Sequence, residues 1–349
     1  MSLEKSVFIE ETIKEYIYDR YHIKVISVCK QDIGSANCYK VICKDGIYMF
    51  KEFQSKYKQS DIEREICICN YLNRNGIACS NFIQNISGNY INLYKEKTTH
   101  LQAFVEGKTF EMNCMPDIIL FKEARLLGRI NKCLKNNPKL PVGFNSSWFN
   151  TWNSGESINK YKKIIYHTEK LDDINIKAKI IEDCEFKIKL LSNTTLDERY
   201  CKLTQGNSHG DYNNFQLICS DNDINAVVDF SGAAYVPLVW ELMRSYTYST
   251  TECQGAKRID FNKFKKYIDA YLTENELTLL DVEMMPYFYY FNILRSTYGY
   301  PQYINSCIEN RPSDIINFAV WRTELCGWLY KNKEELSQFL KNQYKGILL

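Results

Sequence analysis

Apolar residues recur at helical spacing from Phe8 to Tyr21, and three apolar, β-branched stretches follow at Lys24 to Cys29, Tyr39 to Cys43 and Ile47 to Phe53. Lys44-Asp45-Gly46 joins the last two, and Asp-Gly between alternating runs predicts a hairpin. A helix is expected over Ser60 to Asn73, with Ile62, Ile66, Cys69 and Leu72 on one face. Strand-like segments then fall at Asn81 to Gln84, Tyr90 to Tyr94 and His100 to Val105. The texture changes after Glu106-Gly107, since Asp117 to Leu134 and Ser157 to Leu191 read as helix. A short β region follows at Lys202 to His209, Phe215 to Cys219 and Asn225 to Phe230, and from Pro237 onward the period is helical again. The pattern predicts an α+β protein with a small sheet-rich lobe, residues 1–101, and a larger mainly helical lobe, residues 102–349, with a β-hairpin in its middle.

A chain of 349 residues exceeds the usual size of one hydrophobic core, which agrees with two lobes and a cleft. Lys plus Arg (44) nearly balances Asp plus Glu (42), so neither a nucleic-acid nor a membrane-surface partner is expected. The longest apolar runs, such as Phe288 to Leu294, fall far short of the roughly 20 residues that span a bilayer. The N-terminal stretch has early acidic residues and no apolar core of a secretory signal, so a cytoplasmic protein is expected. The fourteen cysteines are scattered singly apart from Cys67 and Cys69, without zinc-ligand spacing, and read as reduced thiols. Oligomeric state is not legible in any of these features.

The chemistry concentrates in Ser208-His209-Gly210-Asp211-Tyr212-Asn213-Asn214-Phe215-Gln216, followed by Ala226-Val227-Val228-Asp229-Phe230. A loop carrying one Asp feeds an apolar strand, a turn at Asp221-Asn222-Asp223, and a second strand that ends in another Asp. Taken alone, His209-Gly210-Asp211 reads equally well as a polar turn, and Asp229 as a helix cap. Together they form the carboxylate pair that phosphoryl transfer requires, one to orient and deprotonate a hydroxyl and one to hold magnesium. This arrangement resembles the aminoglycoside phosphotransferase and choline kinase family, whose loop reads H-G-D-x-x-x-x-N and whose metal Asp ends a following strand. The resemblance implies a two-lobed protein-kinase-like fold, ATP and Mg2+ as cofactors, Asp211 as catalytic base and Asp229 as metal ligand. Its Asn position holds Gln216, whose carboxamide oxygen sits on a stem one methylene longer.

In the first lobe Lys51 interrupts the largely apolar strand Tyr48-Met49-Phe50-Lys51-Glu52-Phe53, and an unpaired ammonium there would be costly. Glu65 on the next helix is the implied partner, chosen over Glu63 by the resemblance, and the pair would set Lys51 against the ATP phosphates. A solvated Glu and a snorkelling Lys are the plain alternative. Gly34, Ser35 and Ala36 form a small-residue turn whose N–H groups would approach those phosphates, although an ordinary hairpin turn fits as well. Backbone near Leu101 to Ala103 is the implied hinge that meets adenine. Gly107-Lys108-Thr109 imitates a P-loop end, but the required earlier Gly is Gln102. About ten residues separate Asp229 from the helix near Trp240, too few for a peptide-docking activation segment, so the acceptor is expected to be a small-molecule hydroxyl, aminoglycoside, amino-alcohol or sugar-like. The aromatic run from Met285 to Phe291 reads as core, or as an amine-binding cage. The likeness spans about Ile26 to Tyr246 and fades in the last hundred residues. Gln216 leaves a second class open, a weak or inactive kinase-like binding or scaffold protein of the spore-coat-associated kind.

Overall fold

The computed structural model describes residues 4–31, 36–135, 152–255, 257–306 and 312–348. Helix α1 (Glu10–Tyr21) precedes strands β1 (Val25–Gln31), β2 (Asn37–Cys43) and β3 (Ile47–Glu52). Helix α2 (Gln59–Arg74) and strands β4 (Phe82–Ile83), β5 (Ile91–Tyr94) and β6 (Lys97–Ala103) complete the small lobe. The strands form one antiparallel sheet in the order β1-β2-β3-β6-β4, with β5 also on β6. The Asp45-Gly46 turn closes as expected, with Ile42 opposite Ile47 and the Cys43 N–H donating to the Gly46 carbonyl at 2.9 Å. Period-two alternation then divides the lobe. Tyr39, Val41, Phe50 and Leu101 pack on Ile13, Tyr16 and Ile17 of α1, whereas Cys38, Met49 and Phe53 join Ile62, Ile66 and Leu72 of α2.

The larger lobe begins with α3 (Asp117–Lys135), α4 (Ser154–His167) and α5 (Ile174–Leu191). The expected continuous run from Ser157 to Leu191 is therefore two helices. Asp173 divides them, because its carboxylate accepts from the N–H groups of Asn175 (2.9 Å) and Ile176 (3.0 Å) and starts a new helix. Strand β7 (Gln205–Ser208), the hairpin β8 (Leu217–Cys219) and β9 (Ile224–Val227), and strand β10 (Ala234–Pro237) lead into α6 (Leu238–Ser249). Pairing of β10 with β7 was not anticipated, as the segment is only four residues long. Helices α7 (Phe261–Leu272), α8 (Leu279–Arg295), α9 (Tyr300–Ile304) and α10 (Ser313–Tyr344) fill the remainder. Phe288, Tyr289, Tyr290 and Phe291 of α8 are buried, so this aromatic run is core. Asp281 is buried too, and holds the Thr278 and Thr204 N–H groups instead of facing solvent.

The lobes meet through the hairpin. The chain leaving β6 passes Gly107, where a Cβ would lie 2.6 Å from the Cys219 carbonyl oxygen, and Lys108 then exchanges backbone hydrogen bonds with Cys219 at 2.9 and 2.8 Å. From the other side Val227 donates to the Ala78 carbonyl at 3.0 Å. One strand of the hairpin is thus tied to the segment that leaves the small lobe, and the other to the α2–β4 connection within it.

Candidate active site

Asp211 stands in a loop fastened on every side. His209 accepts from the Asp211 N–H at Nδ1 (3.3 Å), which leaves the proton on Nε2 to donate to the Val228 carbonyl at 3.0 Å. Its ring lies 4.3 Å from that of Phe230. Gly210 has φ +79, and a Cβ there would come within 1.7 Å of the Gly232 carbonyl oxygen, so the H-G-D loop needs its glycine. Buried Glu241 of α6 accepts from the Tyr212 N–H at 2.8 Å and from the Ser208 hydroxyl. The Tyr212 hydroxyl donates to the Glu123 carbonyl at 2.9 Å. The carboxylate that results is half-buried and held by the Arg244 guanidinium at Oδ1 and by the Gln216 amide nitrogen at Oδ2 (3.2 Å), with the Asn213 amide nitrogen 3.5 Å from Oδ1.

Asp229 sits just beyond β9 in the left-handed region, φ 65, an uncommon conformation for a residue with a side chain. Its Oδ1 accepts from the Ser231 hydroxyl at 2.6 Å. Burial works to raise its pKa, but Lys51, Ser231 and His209 outweigh burial and hold the carboxyl below its ordinary value. Lys51 comes from β3, directly opposite His100 of β6. Burial alone would lower the Lys51 ammonium, and the charges of Glu65 and Asp229 more than offset this and raise it. Buried Glu65 is pushed up to about 7, by burial first and by Asp229 as well, against the pull of Lys51. Glu63 is exposed and accepts from Gln59 at 2.8 Å. Lys51, Glu65 and Asp229 therefore form one electrostatic unit across the two lobes. The Asp211 loop lies against it, as Gly232 packs on Asp211 and His209 reaches Val228.

The remaining expected contacts fall differently. Gly34 and Ser35 lie outside the described residues, and Ala36, at the start of β2, is buried in the core. Leu101 is buried with strand partners on both sides, Phe50 and Ile83, and the Ala103 N–H donates to the Asn81 carbonyl at 2.8 Å. Leu101 and the Ala103 N–H, expected to meet adenine, are thus engaged in the sheet, and Phe104 continues the ladder by donating to the Ile47 carbonyl at 2.9 Å.

Arg244 and Glu241 were not singled out from the sequence. They stand three apart on α6, so both side chains reach the same loop. The available signal is two charges one turn apart in the otherwise apolar stretch Leu238-Val239-Trp240-Glu241-Leu242-Met243-Arg244. Arg244 also lies 4.5 Å from the Tyr248 ring centroid. Burial works against its charge, but Tyr248, Asp211 and Glu241 raise its pKa overall.

No protein-family model matches this chain, and no curated protein matches it. Solved structures match its fold over nearly all of its length. A microcompartment-associated aminopropanol kinase aligns with TM-score 0.63 at 13% identity, covering 93% of this chain and 99% of that one. An amicoumacin kinase in complex with AMP-PNP, Ca2+ and Ami gives 0.61 at 13% identity, with 97% and 98% covered. Choline kinase from Cryptosporidium parvum Iowa II gives 0.57 at 14% identity, with 95% and 96% covered. The chain has the two-lobed kinase-like fold of these proteins and of aminoglycoside phosphotransferases, and this likeness includes the last hundred residues, where sequence resemblance fades.

Proposed function

We propose that this protein is a kinase that transfers the γ-phosphoryl group of ATP to a hydroxyl of a small molecule. The observation that carries the reading is the joining of the Asp211 loop to the Lys51, Glu65 and Asp229 unit, which supplies a base beside a phosphate-facing cation and a metal-binding carboxylate. Asp211 orients the acceptor hydroxyl and takes its proton as the new P–O bond forms and ADP departs. Lys51, kept charged by Glu65 and Asp229, meets the α and β phosphates. Adenine is met by main chain beyond Ala103.

The donor set suits magnesium, because Asp229 is held ionised and Gln216 adds an amide oxygen. Mg2+ takes oxygen ligands, typically one or two from protein beside the phosphates. When bound, it neutralises charge on the phosphates. A cytoplasmic setting agrees with the cysteines, which are free thiols throughout the described residues.

The engagement of Asp211 by Arg244 and Gln216 favours a second reading, a binding or scaffold protein of the same shape. Calorimetry with ATP, with and without Mg2+, followed by ADP release across a panel of hydroxyl compounds, separates the two. Metal-dependent ATP affinity together with acceptor-stimulated ADP release is expected. No ATP binding at any magnesium concentration would remove the kinase reading.

A further inference from the structure

Beyond Asp211 and Glu241 the helical lobe brings several cations together. The Arg244 guanidinium, paired with Asp211, leads through the Tyr248 ring (4.5 Å) to Phe318, whose centroid lies 5.6 Å from that of Tyr248. Arg322 stands 5.6 Å from the Phe318 centroid, and its Nη1 donates to the Ser296 hydroxyl at 3.0 Å. The two guanidinium groups are thus joined through the rings of Tyr248 and Phe318. Further charge is packed behind. Lys187 is buried, with Nζ 3.3 Å from the Ile293 carbonyl and 3.4 Å from that of Ser296, at the C-terminal end of α8. Burial and Arg322 lower Lys187 to about 8 and Arg295 to about 10.

Charges of one sign that depress one another are a cost unless an anion joins them. Among the described residues the carboxylate acting on Lys187 is that of Asp183, which is already held by Lys179 at 2.9 Å and by the Tyr300 hydroxyl at 2.9 Å. The carbonyl end of α8 offsets part of the charge, as helix C-termini do, and Lys187 already uses it. Arg322 is half-buried and keeps donor groups besides the one given to Ser296. An ammonium group in the acceptor would meet like charge along this wall.

Resting on the phosphotransferase reading, we infer that the acceptor carries an anionic group, a carboxylate or a phosphate, beside the hydroxyl presented to Asp211, and that Arg322 reads it.

The test uses the full chain with ADP and Mg2+, so that no turnover intervenes, and calorimetric titration with glycerate, glycerol 3-phosphate, ethanolamine and choline. At least one of the two anions is expected to bind more tightly than either amine, and the preferred anion tells carboxylate from phosphate. Arg322→Gln should weaken that anion about ten- to a hundredfold, the weight of one charge-assisted hydrogen bond. Arg322→Lys, which keeps the charge, should retain most of the affinity, and ADP affinity should be unchanged in both variants. Tighter binding of ethanolamine or choline, no binding of either anion, or unaltered anion affinity in a folded Arg322→Gln chain would overturn the inference. A chain that binds no nucleotide fails the phosphotransferase reading separately, and the same titrations without ADP still decide whether Arg322 holds an anion.

Discussion

Asp211 and Asp229 end neighbouring loops, yet their surroundings have little in common. The Asp211 side chain is 44% exposed, and the side chains that hold it, Arg244 and Gln216, come from the helical lobe. Asp229 is held in a left-handed turn, and the largest influence keeping it ionised is Lys51 from the opposite lobe. One carboxylate is placed by its own lobe and left open to an acceptor. The other is electrically joined to the nucleotide side, so its charge depends on how the lobes face each other. In the proposed reaction the two identical side chains would take separate parts, and environment is what would assign them.

The largest expected effect separates the two directly. Asp211→Asn should cut turnover about 10²–10⁴-fold, the usual range for losing a positioned base, and leave metal-dependent ATP affinity intact. Asp229→Asn should lose the metal dependence of ATP affinity along with turnover. Calorimetry at several magnesium concentrations, with ADP release, reads both quantities. Equal loss of metal-dependent binding in the two variants would erase the distinction drawn between them.

Next in size is the loop that joins the two environments. Gly210→Ala forces a Cβ to within 1.7 Å of the Gly232 carbonyl and keeps φ at +79, so it should cost about 3 kcal/mol or more in stability and displace Asp211. Gly232→Ala meets the Asp211 Cβ at 3.4 Å, an ordinary contact, and should be far milder. Urea denaturation of both variants compares them. Similar losses would mean that the H-G-D loop is less confined than its contacts imply.

A smaller effect tests the side of Asp229 through pH. Glu65 titrates at about 7 in the folded chain against an ordinary 4.5, so the folded state keeps its proton where the unfolded state has released it. Its stabilising contribution is complete below 4.5 and is lost as pH rises to about 7, by at most about 3 kcal/mol. Asp229, lowered from 3.8, has the opposite sign, contributing above that pH and losing its contribution as pH falls through the folded value. The parent chain minus Glu65→Gln, followed by denaturation from pH 4.5 to 8, isolates the first of these, and a flat difference would place Glu65 in contact with water.

The same contrast explains what the sequence discloses. Asp211 and Asp229 are marked by a Gly-containing loop and by the end of an apolar strand, both local signals. The β2–β3 hairpin and the two faces of the small sheet follow from a two-residue period that nothing at long range disturbs. Arg244 and Glu241 reach the loop from a helix thirty residues downstream, and their role depends on how α6 packs beneath β7, which no local pattern encodes. The reach of β6 to Ala103 depends on a partner strand as short as Phe82–Ile83 and on Asn81, and this moves main-chain groups that hydrophobic pattern alone cannot assign. Arg322 and Lys187 come together only because α5, α8 and α10 converge.

Gln216 is the point where the two environments touch, and the smallest effect is expected there. Its side-chain amide nitrogen donates to Asp211 Oδ2 at 3.2 Å, and its main-chain carbonyl accepts from the Val228 N–H at 2.9 Å, one residue before Asp229. The residue thus links the two carboxylate loops, its side chain on Asp211 and its main chain on the strand that leads to Asp229, and its amide oxygen is proposed as the metal ligand. Asn at this position removes one methylene and shortens the reach of the carboxamide. Gln216→Asn should therefore keep or improve magnesium-dependent turnover, within about threefold of the parent, because one charge-assisted hydrogen bond to Asp211 is the most it gives up and a closer metal ligand is gained. Gln216→Ala loses the whole carboxamide, with its bond to Asp211 and its oxygen, and should raise the magnesium concentration needed for half-maximal rate. The decisive measurement is turnover against magnesium for all three chains. If neither substitution alters the magnesium dependence, Gln216 belongs to Asp211 alone, and Asp229 must hold the metal without it.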